Sequence, residues 1–523
     1  MSKEKVPLLR IKKAGIIISE DDLKILLLPK KSIGSLKKTF TYELETKFNF
    51  NSMRLYKSVR IKNKTYYIFP RYSLGLIKTD CKKLQKTDLK KFLLLKSENF
   101  KSYLQVPENI ELEYEGILKK HQEIVVDHIM ERFFLINSEN KLCVLKQGLV
   151  LKMETGRGKT HTAFGIMNRL KVRTLIVVPT KALRNQWYKE IKKFIPNAQV
   201  DEYIPSKKIE EYNGDILIGI INGLLKRDNK FFENFGLSIF DEVHKYCSKK
   251  NSEIFTLTNS YYMLGMSATP KRIDNLEIVS YLNVGPIINA LDIPNYKNNI
   301  KNIKFNSVVN VIKYYGPNEY TKLLLNKKTE TVSYTLMTGQ LIQDNIRNQI
   351  IVDITLDTVK DGTPMFVFST QRNHLDILKE MIEQKLLEEQ KCSQEIETES
   401  KGKIKPFVIP DNSIILRGGV KMDEIKNQID NSNIILATYQ FLDTGVSIPH
   451  MEGIFWAIPR KNSLSQPLGR ILRIDGNIKN KRKVYDLIDM RTALKNQFYT
   501  RKNTYKEKNF TIESTEIIKY DEY

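Results

Sequence analysis

Cysteine is scarce in this chain. Cys81, Cys143, Cys247 and Cys392 stand far apart among 523 residues, with no CxxC pair and no Cys/His cluster at metal-ligand spacing. That excludes a disulfide scaffold and a zinc module, and fits reduced intracellular thiols. Long apolar runs are missing too. Stretches such as Ile25-Leu26-Leu27-Leu28 fall far short of a membrane span, and the opening Met1-Ser2-Lys3-Glu4-Lys5-Val6 lacks the apolar core of a signal peptide. The expectation is a soluble, intracellular protein with no membrane partner. Negative charge is also in deficit, 60 Asp+Glu against 85 Lys+Arg. The net charge of +25 calls for a polyanionic partner, nucleic acid foremost. A chain rich in Lys, Asn and Ile reflects AT-rich codons in part, but codon bias does not explain placement. Residues 1–110 hold 25 Lys+Arg against 10 Asp+Glu, so 15 of the 25 excess charges fall in about a fifth of the chain.

The length exceeds one hydrophobic core and suggests roughly three domains. The most informative stretch is Met153-Glu154-Thr155-Gly156-Arg157-Gly158-Lys159-Thr160, between the apolar run Leu149-Val150-Leu151 and a helical pattern from Ala163. Strand, glycine loop and helix make a phosphate-binding site: the glycines let consecutive N–H groups point at phosphate oxygens, Lys159 reaches the β- and γ-phosphates, and the Thr160 hydroxyl ligates Mg²⁺. The full signature asks for glycine where Glu154 stands, so the assignment needs a second half. Ser238-Ile239-Phe240-Asp241-Glu242-Val243-His244 supplies it, an apolar strand ending in two carboxylates 82 residues after Lys159. Asp241 suits the Mg²⁺ shell, and Glu242 suits orienting and deprotonating the water that attacks the γ-phosphate.

Residues 1–110 alternate short apolar strands with basic turns, as in Met53–Ile61 and Thr65–Phe69, and read as a small basic α+β accessory domain. Its aromatics interleaved with lysines suit base stacking and equally suit a half-buried sheet. A helical pattern starts near Leu118-Lys119-Lys120-His121-Gln122. Beyond it, buried strands (174–178, 215–220, 237–240, 262–266) alternate with helices, and the rhythm restarts after a mixed region at 285–350 with strands at 365–368, 413–416, 433–436 and 454–458. The expectation is α/β, two tandem doubly wound parallel-sheet domains, 111–295 and 296–523, with ligands at the strand C-termini. Leu386 to Asp411 reads as an exposed insertion. The basic stretches 479–483 and 501–508 read either as solvated faces or as nucleic-acid contacts.

The second α/β domain has no phosphate loop. Gln466-Pro467-Leu468-Gly469-Arg470-Ile471-Leu472-Arg473 instead places two arginines one helical turn apart, suited to neutralising charge on a γ-phosphate. In order, the chain resembles a superfamily 2 helicase or translocase over about residues 115–475. Pro179-Thr180-Lys181-Ala182-Leu183 with Gln186-Trp187 resembles the first DNA-contacting motif. Asp241 to His244 resembles the DExH magnesium motif, and Ser267-Ala268-Thr269-Pro270 the motif coupling hydrolysis to domain movement. Ala437-Thr438 through Asp443-Thr444-Gly445-Val446-Ser447-Ile448-Pro449 resembles the fifth motif, and Gln466 to Arg473 the sixth. Gln186-Trp187 and the Leu118–Gln122 segment are similar to the XPB-like DNA branch. The basic N-terminus and overall build are similar to transcript-release DNA helicases of poxviruses and other large cytoplasmic DNA viruses. Pro467 departs from the arginine frequent in the sixth motif.

The resemblance implies two RecA-like domains and ATP with Mg²⁺ as cofactors. It gives ATP to Thr155, Gly156, Arg157, Gly158, Lys159 and Thr160, with Gln122 at adenine and Gln466 lining the nucleotide cleft. Mg²⁺ falls to Thr160 and Asp241, catalysis to Lys159, Asp241, Glu242, Arg470 and Arg473, the strand to Pro179, Thr180, Gln186 and Thr438, and coupling to His244, Ser267 and Thr269. It implies DNA, single-stranded or as a tailed duplex, as the track, RNA polymerase or other transcription proteins as partners, and the host cytoplasm and virion as location. Three other functions are compatible with these residues: a duplex translocase without strand separation, an RNA helicase, and a binding scaffold with a degenerate ATPase core. Intact Lys159, Asp241, Glu242 and Arg470 oppose the last.

Overall fold

A computed structural model describes residues 9–12, 15–21, 36–38, 41–46, 49–61, 63–70, 72, 109–134, 147–258, 260–272, 274–300, 305–326, 330–399, 413–416, 422–442, 448, 450–459, 464–472 and 480–522. They form two compact units, Met1–Lys301 and Asn302–Tyr523.

In the first unit, β1 (Leu9–Lys12), β2 (Gly15–Ser19), β5 (Lys57–Ile61) and β6 (Lys64–Phe69) form an antiparallel sheet in the order β1-β2-β6-β5, beside a hairpin of β3 (Thr41–Thr46) and β4 (Asn49–Arg54). The alternating run 53–61 is thus not one strand: it breaks at Leu55-Tyr56, and the two halves belong to different sheets. This basic module is docked rather than tethered. Met53 is buried in an apolar cluster with Val150, Leu175 and Phe240, and the Tyr72 N–H donates to the Leu282 carbonyl at 2.8 Å.

The larger sheet of this unit has seven parallel strands in the order β13-β7-β12-β11-β8-β10-β9: β7 (Gly148–Lys152), β8 (Thr174–Val178), β9 (Val200–Glu202), β10 (Ile216–Ile220), β11 (Leu237–Asp241), β12 (Tyr262–Ser267) and β13 (Ile287–Asn289). The central strands β8 and β11 are buried along their whole length, as their mainly apolar sequences suit in a sheet covered on both faces. On one face lie α1 (Lys120–Phe134), α2 (Lys159–Leu170) and α3 (Lys181–Phe194), which insert Val126, Phe164 and Trp187 against Ile176 and Ile239. The other face packs Phe232, Phe240 and Val279 together. Parallel pairing brings the C-terminal ends of β7, β12, β11 and β8 side by side, so the loops at Met153, Ser267, Asp241 and Pro179 meet along one edge.

The second unit repeats the plan with strands in the order β16-β17-β15-β18-β19-β14-β20, all parallel: β14 (Ser307–Tyr315), β15 (Met365–Ser369), β16 (Ser413–Leu416), β17 (Ile434–Thr438), β18 (Gly453–Trp456), β19 (Arg482–Asp489) and β20 (Thr511–Lys519). Two RecA-like α/β sheets in tandem are therefore the fold. Helix α4 (Asn345–Lys360) and α5 (Arg372–Glu399) pack beside this sheet. The polar stretch from Leu386 does not begin as an insertion: it continues α5 to Glu399, because Glu, Lys and Gln are good helix formers. Residues 400–412 lie outside the described residues.

Buried ion pairs knit this unit. Arg347, fully buried, bonds Asp489 at 2.7 and 3.2 Å and the Ala457 carbonyl at 2.7 Å. Arg501 is not on a solvated face either, since it forks onto Asp486 at 2.8 Å, with Tyr505 and Trp456 extending the network. Burial alone would lower the Arg501 pKa, but the Asp486 carboxylate raises it. A charge buried this deeply persists only with such a partner. Among the described residues, no helix is long and apolar enough to cross a membrane.

Candidate active site

The phosphate loop is built by two glycines in left-handed geometry, Gly156 at φ 79° and Gly158 at φ 81°. Gly158 is the residue immediately before α2, so the first N–H groups of that helix follow directly from the turn. Its missing side chain is a packing requirement as well. A Cβ there would fall 2.0 Å from the Gln122 amide nitrogen. Gln122, buried on α1, donates from Nε2 to the Arg157 carbonyl at 3.1 Å and accepts the Lys119 N–H at 2.8 Å. His121 Nε2 lies 3.1 Å from the same Arg157 carbonyl, and burial lowers the His121 pKa. The α1 start therefore braces the loop's backbone. Arg157 also pairs with Glu154 at 3.7 Å, which gives the residue standing in place of a signature glycine a contact of its own. Lys159 opens α2 with Nζ 3.4 Å from the Met153 carbonyl, a long bond that a phosphate oxygen would readily replace.

The carboxylates follow at the end of β11. Asp241 is buried, its Oδ2 accepting from Trp187 Nε1 at 2.9 Å and its Oδ1 from the Glu242 N–H at 3.0 Å. Burial first, and then the charge of Glu242, push its carboxyl up to about 6. A pair of adjacent carboxylates under such strain is one that a bound cation relieves. The donors are hard oxygens, Asp241 and the Thr160 hydroxyl, and among the described residues no cluster of three or more His, Cys, Asp or Glu competes with them. That suits Mg²⁺, which takes one or two protein oxygens and completes its shell with phosphates and water. Glu242 is left-handed at φ 52°, and its Oε2 is buried without accepting a hydrogen bond. That oxygen lies 3.5 Å from His244 Nδ1. The same Nδ1 lies 2.8 Å from Ser267 Oγ, and Ser267 Oγ accepts the Thr269 N–H at 3.1 Å. The Ser267 carbonyl also accepts the Met153 N–H at 3.2 Å. One chain of contacts thus joins the phosphate loop, the carboxylate pair and the Ser267–Thr269 turn.

Residues 115–272 match the model of the type III restriction enzyme res subunit. The "Putative ATP-dependent RNA helicase QP509L" of African swine fever virus (isolate Pig/Kenya/KEN-50/1950) is 32% identical over 394 residues, 71% of this chain and 73% of that one. The chain belongs to the superfamily 2 helicases of large DNA viruses. The helicase is also 25% identical to "Putative ATP-dependent RNA helicase L396" of Acanthamoeba polyphaga mimivirus over 411 residues, 77% of this chain and 70% of that one. It is 31% identical to "DNA 3'-5' translocase XPB2" of Sulfurisphaera tokodaii over 226 residues, 42% of this chain and 50% of that one. Its family is one of ATP-dependent enzymes, which makes the helicase an ATP hydrolase. Among solved structures, "The crystal structure of T4 UvsW" covers 93% of the helicase and 95% of its own chain at 17% identity and a TM-score of 0.33.

In the helicase, Thr155 to Thr160, Asp241, Glu242, His244, Ser267 and Thr269 line the loops along one sheet edge. Thr180 caps α3, its hydroxyl accepting the Leu183 N–H at 3.3 Å. Gln186 donates to Glu190 at 2.8 Å, while its Oε1 is buried without accepting a hydrogen bond. In the second unit, Thr438 ends β17 opposite Ser369, its hydroxyl buried without a hydrogen bond. Gln466 and Arg470 share the helix Ser465–Ile471, with Arg470 buried. Arg473, with Asp443 to Ser447 and Pro449 of the fifth motif, lies outside the described residues. Trp187 and Tyr246 carry parts that sequence reasoning missed. The motif likeness places Trp187 beside the DNA-contacting residues and toward the XPB-like branch, and a tryptophan on a buried helical face gives no sign of its acceptor. Tyr246 is buried with its hydroxyl 2.8 Å from the Asp241 carbonyl and 3.0 Å from the Val177 carbonyl.

Proposed function

We propose that the helicase moves along DNA by coupling ATP hydrolysis to its grip on one strand, in viral transcription, with transcript release and termination as its task. The observation that carries the coupling is the contact of His244 with both Glu242 and Ser267. It links the water-activating carboxylate to the turn through Thr269. Main-chain N–H groups of Gly156 and Gly158 cradle phosphates, with Thr155 and Arg157 in the same loop, and Lys159 neutralises the β- and γ-oxygens. Mg²⁺, when held by Thr160 and Asp241, supplies charge neutralisation at those oxygens. Glu242 takes a proton from water as the water oxygen bonds the γ-phosphorus and the bridging oxygen leaves with ADP. Gln122 exchanges its present main-chain partners to read adenine, with Gln466 on the nucleotide. Arg470 and Arg473 take the family's role of stabilising γ-phosphate charge. Pro179, Thr180 and Gln186 in one unit and Thr438 in the other bind the sugar-phosphate backbone, and RNA polymerase or other transcription proteins are the partners.

DNA as the track is supported by the XPB-like motifs and by the likeness to a DNA translocase. RNA as the track is the second reading, favoured by the names of the two viral relatives. ATP turnover measured with single-stranded DNA, duplex DNA and RNA of equal length separates them. DNA should stimulate several-fold more than RNA, and single strands should suffice. Equal or greater stimulation by RNA overturns the DNA assignment. Strand displacement on tailed duplexes then distinguishes unwinding from translocation on intact duplex.

A further inference from the structure

Asp241 is held at two points, its carboxylate by Trp187 and its carbonyl by Tyr246, whose hydroxyl also bonds Val177. Trp187 Nε1 donates to Asp241 Oδ2 at 2.9 Å. The Tyr246 hydroxyl lies 2.8 Å from the Asp241 carbonyl and 3.0 Å from the Val177 carbonyl, sharing its proton between them. Val177 and Trp187 bracket Pro179 to Gln186, the residues assigned to the track. The indole is 2% exposed and meets Phe164 of α2 edge-on, with centroids 5.7 Å apart at 85°. Lys159 opens that same helix. A buried indole needs an acceptor for its N–H, but any carbonyl would satisfy stability. Here the acceptor is the carboxylate assigned to Mg²⁺.

We propose that Trp187 is a positioning residue that fixes the Asp241 carboxylate for the cation and transmits track binding to it. The inference rests on the assignment of Asp241 made above. The indole N–H takes one lone pair of Oδ2 and the Glu242 N–H takes one of Oδ1, so the carboxylate plane and its remaining lone pairs have a set direction. A strand pressing on residues 179–186 moves the Trp187 N–H that holds the carboxylate, while Tyr246 ties the Val177 end of the same segment to the Asp241 carbonyl. The carboxylate turns with the indole, and Mg²⁺ affinity becomes dependent on the track.

Trp187→Phe keeps an aromatic ring against Phe164 and removes the N–H. In the full chain, the Mg²⁺ midpoint of ATP turnover should rise about ten-fold, the scale of losing one hydrogen bond to a charged acceptor. The plateau at high Mg²⁺ should move less, and stimulation by an oligothymidylate should shrink. A binding readout independent of turnover comes from the chain's having only two tryptophans. In Trp456→Phe, emission belongs to Trp187 alone. It should change on adding oligothymidylate without nucleotide, and again with Mg²⁺ and ADP. A folded Trp187→Phe protein with wild-type Mg²⁺ midpoint and wild-type stimulation overturns the inference. If Trp187→Phe does not fold, Trp187 emission indifferent to both the oligonucleotide and Mg²⁺ with ADP overturns it alone. Lys159→Ala run alongside keeps the two readings apart: near-normal turnover in that variant sinks the active-site assignment, whereas its inactivity beside an unaltered Trp187→Phe sinks only the positioning role.

Discussion

Gly158→Ala tests the phosphate loop by geometry rather than by charge. Two separate penalties apply. An alanine at φ 81° is left-handed, which costs about 1–2 kcal/mol. Its Cβ would sit 2.0 Å from Gln122 Nε2, so the amide must give up its bonds to the Arg157 carbonyl and the Lys119 N–H. Each such bond contributes about 0.5–1.5 kcal/mol. Together the loss is on the order of 2–5 kcal/mol, localised at the loop. Denaturant unfolding should report part of it as a lower midpoint, and nucleotide binding should weaken in parallel. The decisive measurement is a double-mutant cycle with Gln122→Ala, which removes the collision but leaves the backbone penalty. The double variant should be less destabilised than the two single changes added together, by about 1 kcal/mol or more. Strict additivity, or a Gly158→Ala protein that unfolds and binds ADP like the wild type, refutes the reasoning.

Lys159→Ala should abolish turnover while DNA binding without ATP survives, whereas Glu242→Gln should bind ATP and stall; equilibrium binding beside turnover assays distinguishes the two, and lost ATP affinity in Glu242→Gln would contradict its role as base. Arg473→Ala should slow hydrolysis on the order of 10³-fold with a smaller fall in ATP affinity, measured by single-turnover kinetics. Exchanging exposed Arg60 and Lys64 for glutamine removes two charges from the basic N-terminal module. The slope of log affinity against log salt for single-stranded DNA should flatten by roughly 1–1.5, and an unchanged slope would point to a protein-docking surface.

The sheets were legible because parallel strands covered on both faces read as apolar runs, as at 175–178 and 434–436. β14 and β19 escaped for the opposite reason: Ser307–Tyr315 and Arg482–Asp489 interleave polar residues whose partners are distant in sequence, such as Asp489 with Arg347. The same distance hid the role of Arg501, which local composition alone assigns to a basic surface. The loop and carboxylates proposed for phosphate and Mg²⁺ stand out in the sequence because that chemistry needs fixed residues at fixed spacing. The braces behind them do not, since Trp187 reaches Asp241 across 54 positions and no spacing rule links an indole to a carboxylate. Gln122 shows a further limit: its side chain spans the bonds of the loop, so the structure relates it to Gly158 where the motif relates it to a base.

In the role of base proposed for it, Glu242 is where this protein gives up stability for chemistry. Its left-handed backbone at φ 52° is a conformation that glycine adopts freely and a longer side chain adopts at about 1–3 kcal/mol. A chain selected only to fold would place glycine after β11. Here a carboxylate stands instead, with one buried oxygen accepting no hydrogen bond. Substitutions that relax this turn should therefore harden the fold and silence the motor together, so a search for thermostable variants of this helicase is expected to return inactive ones at this position.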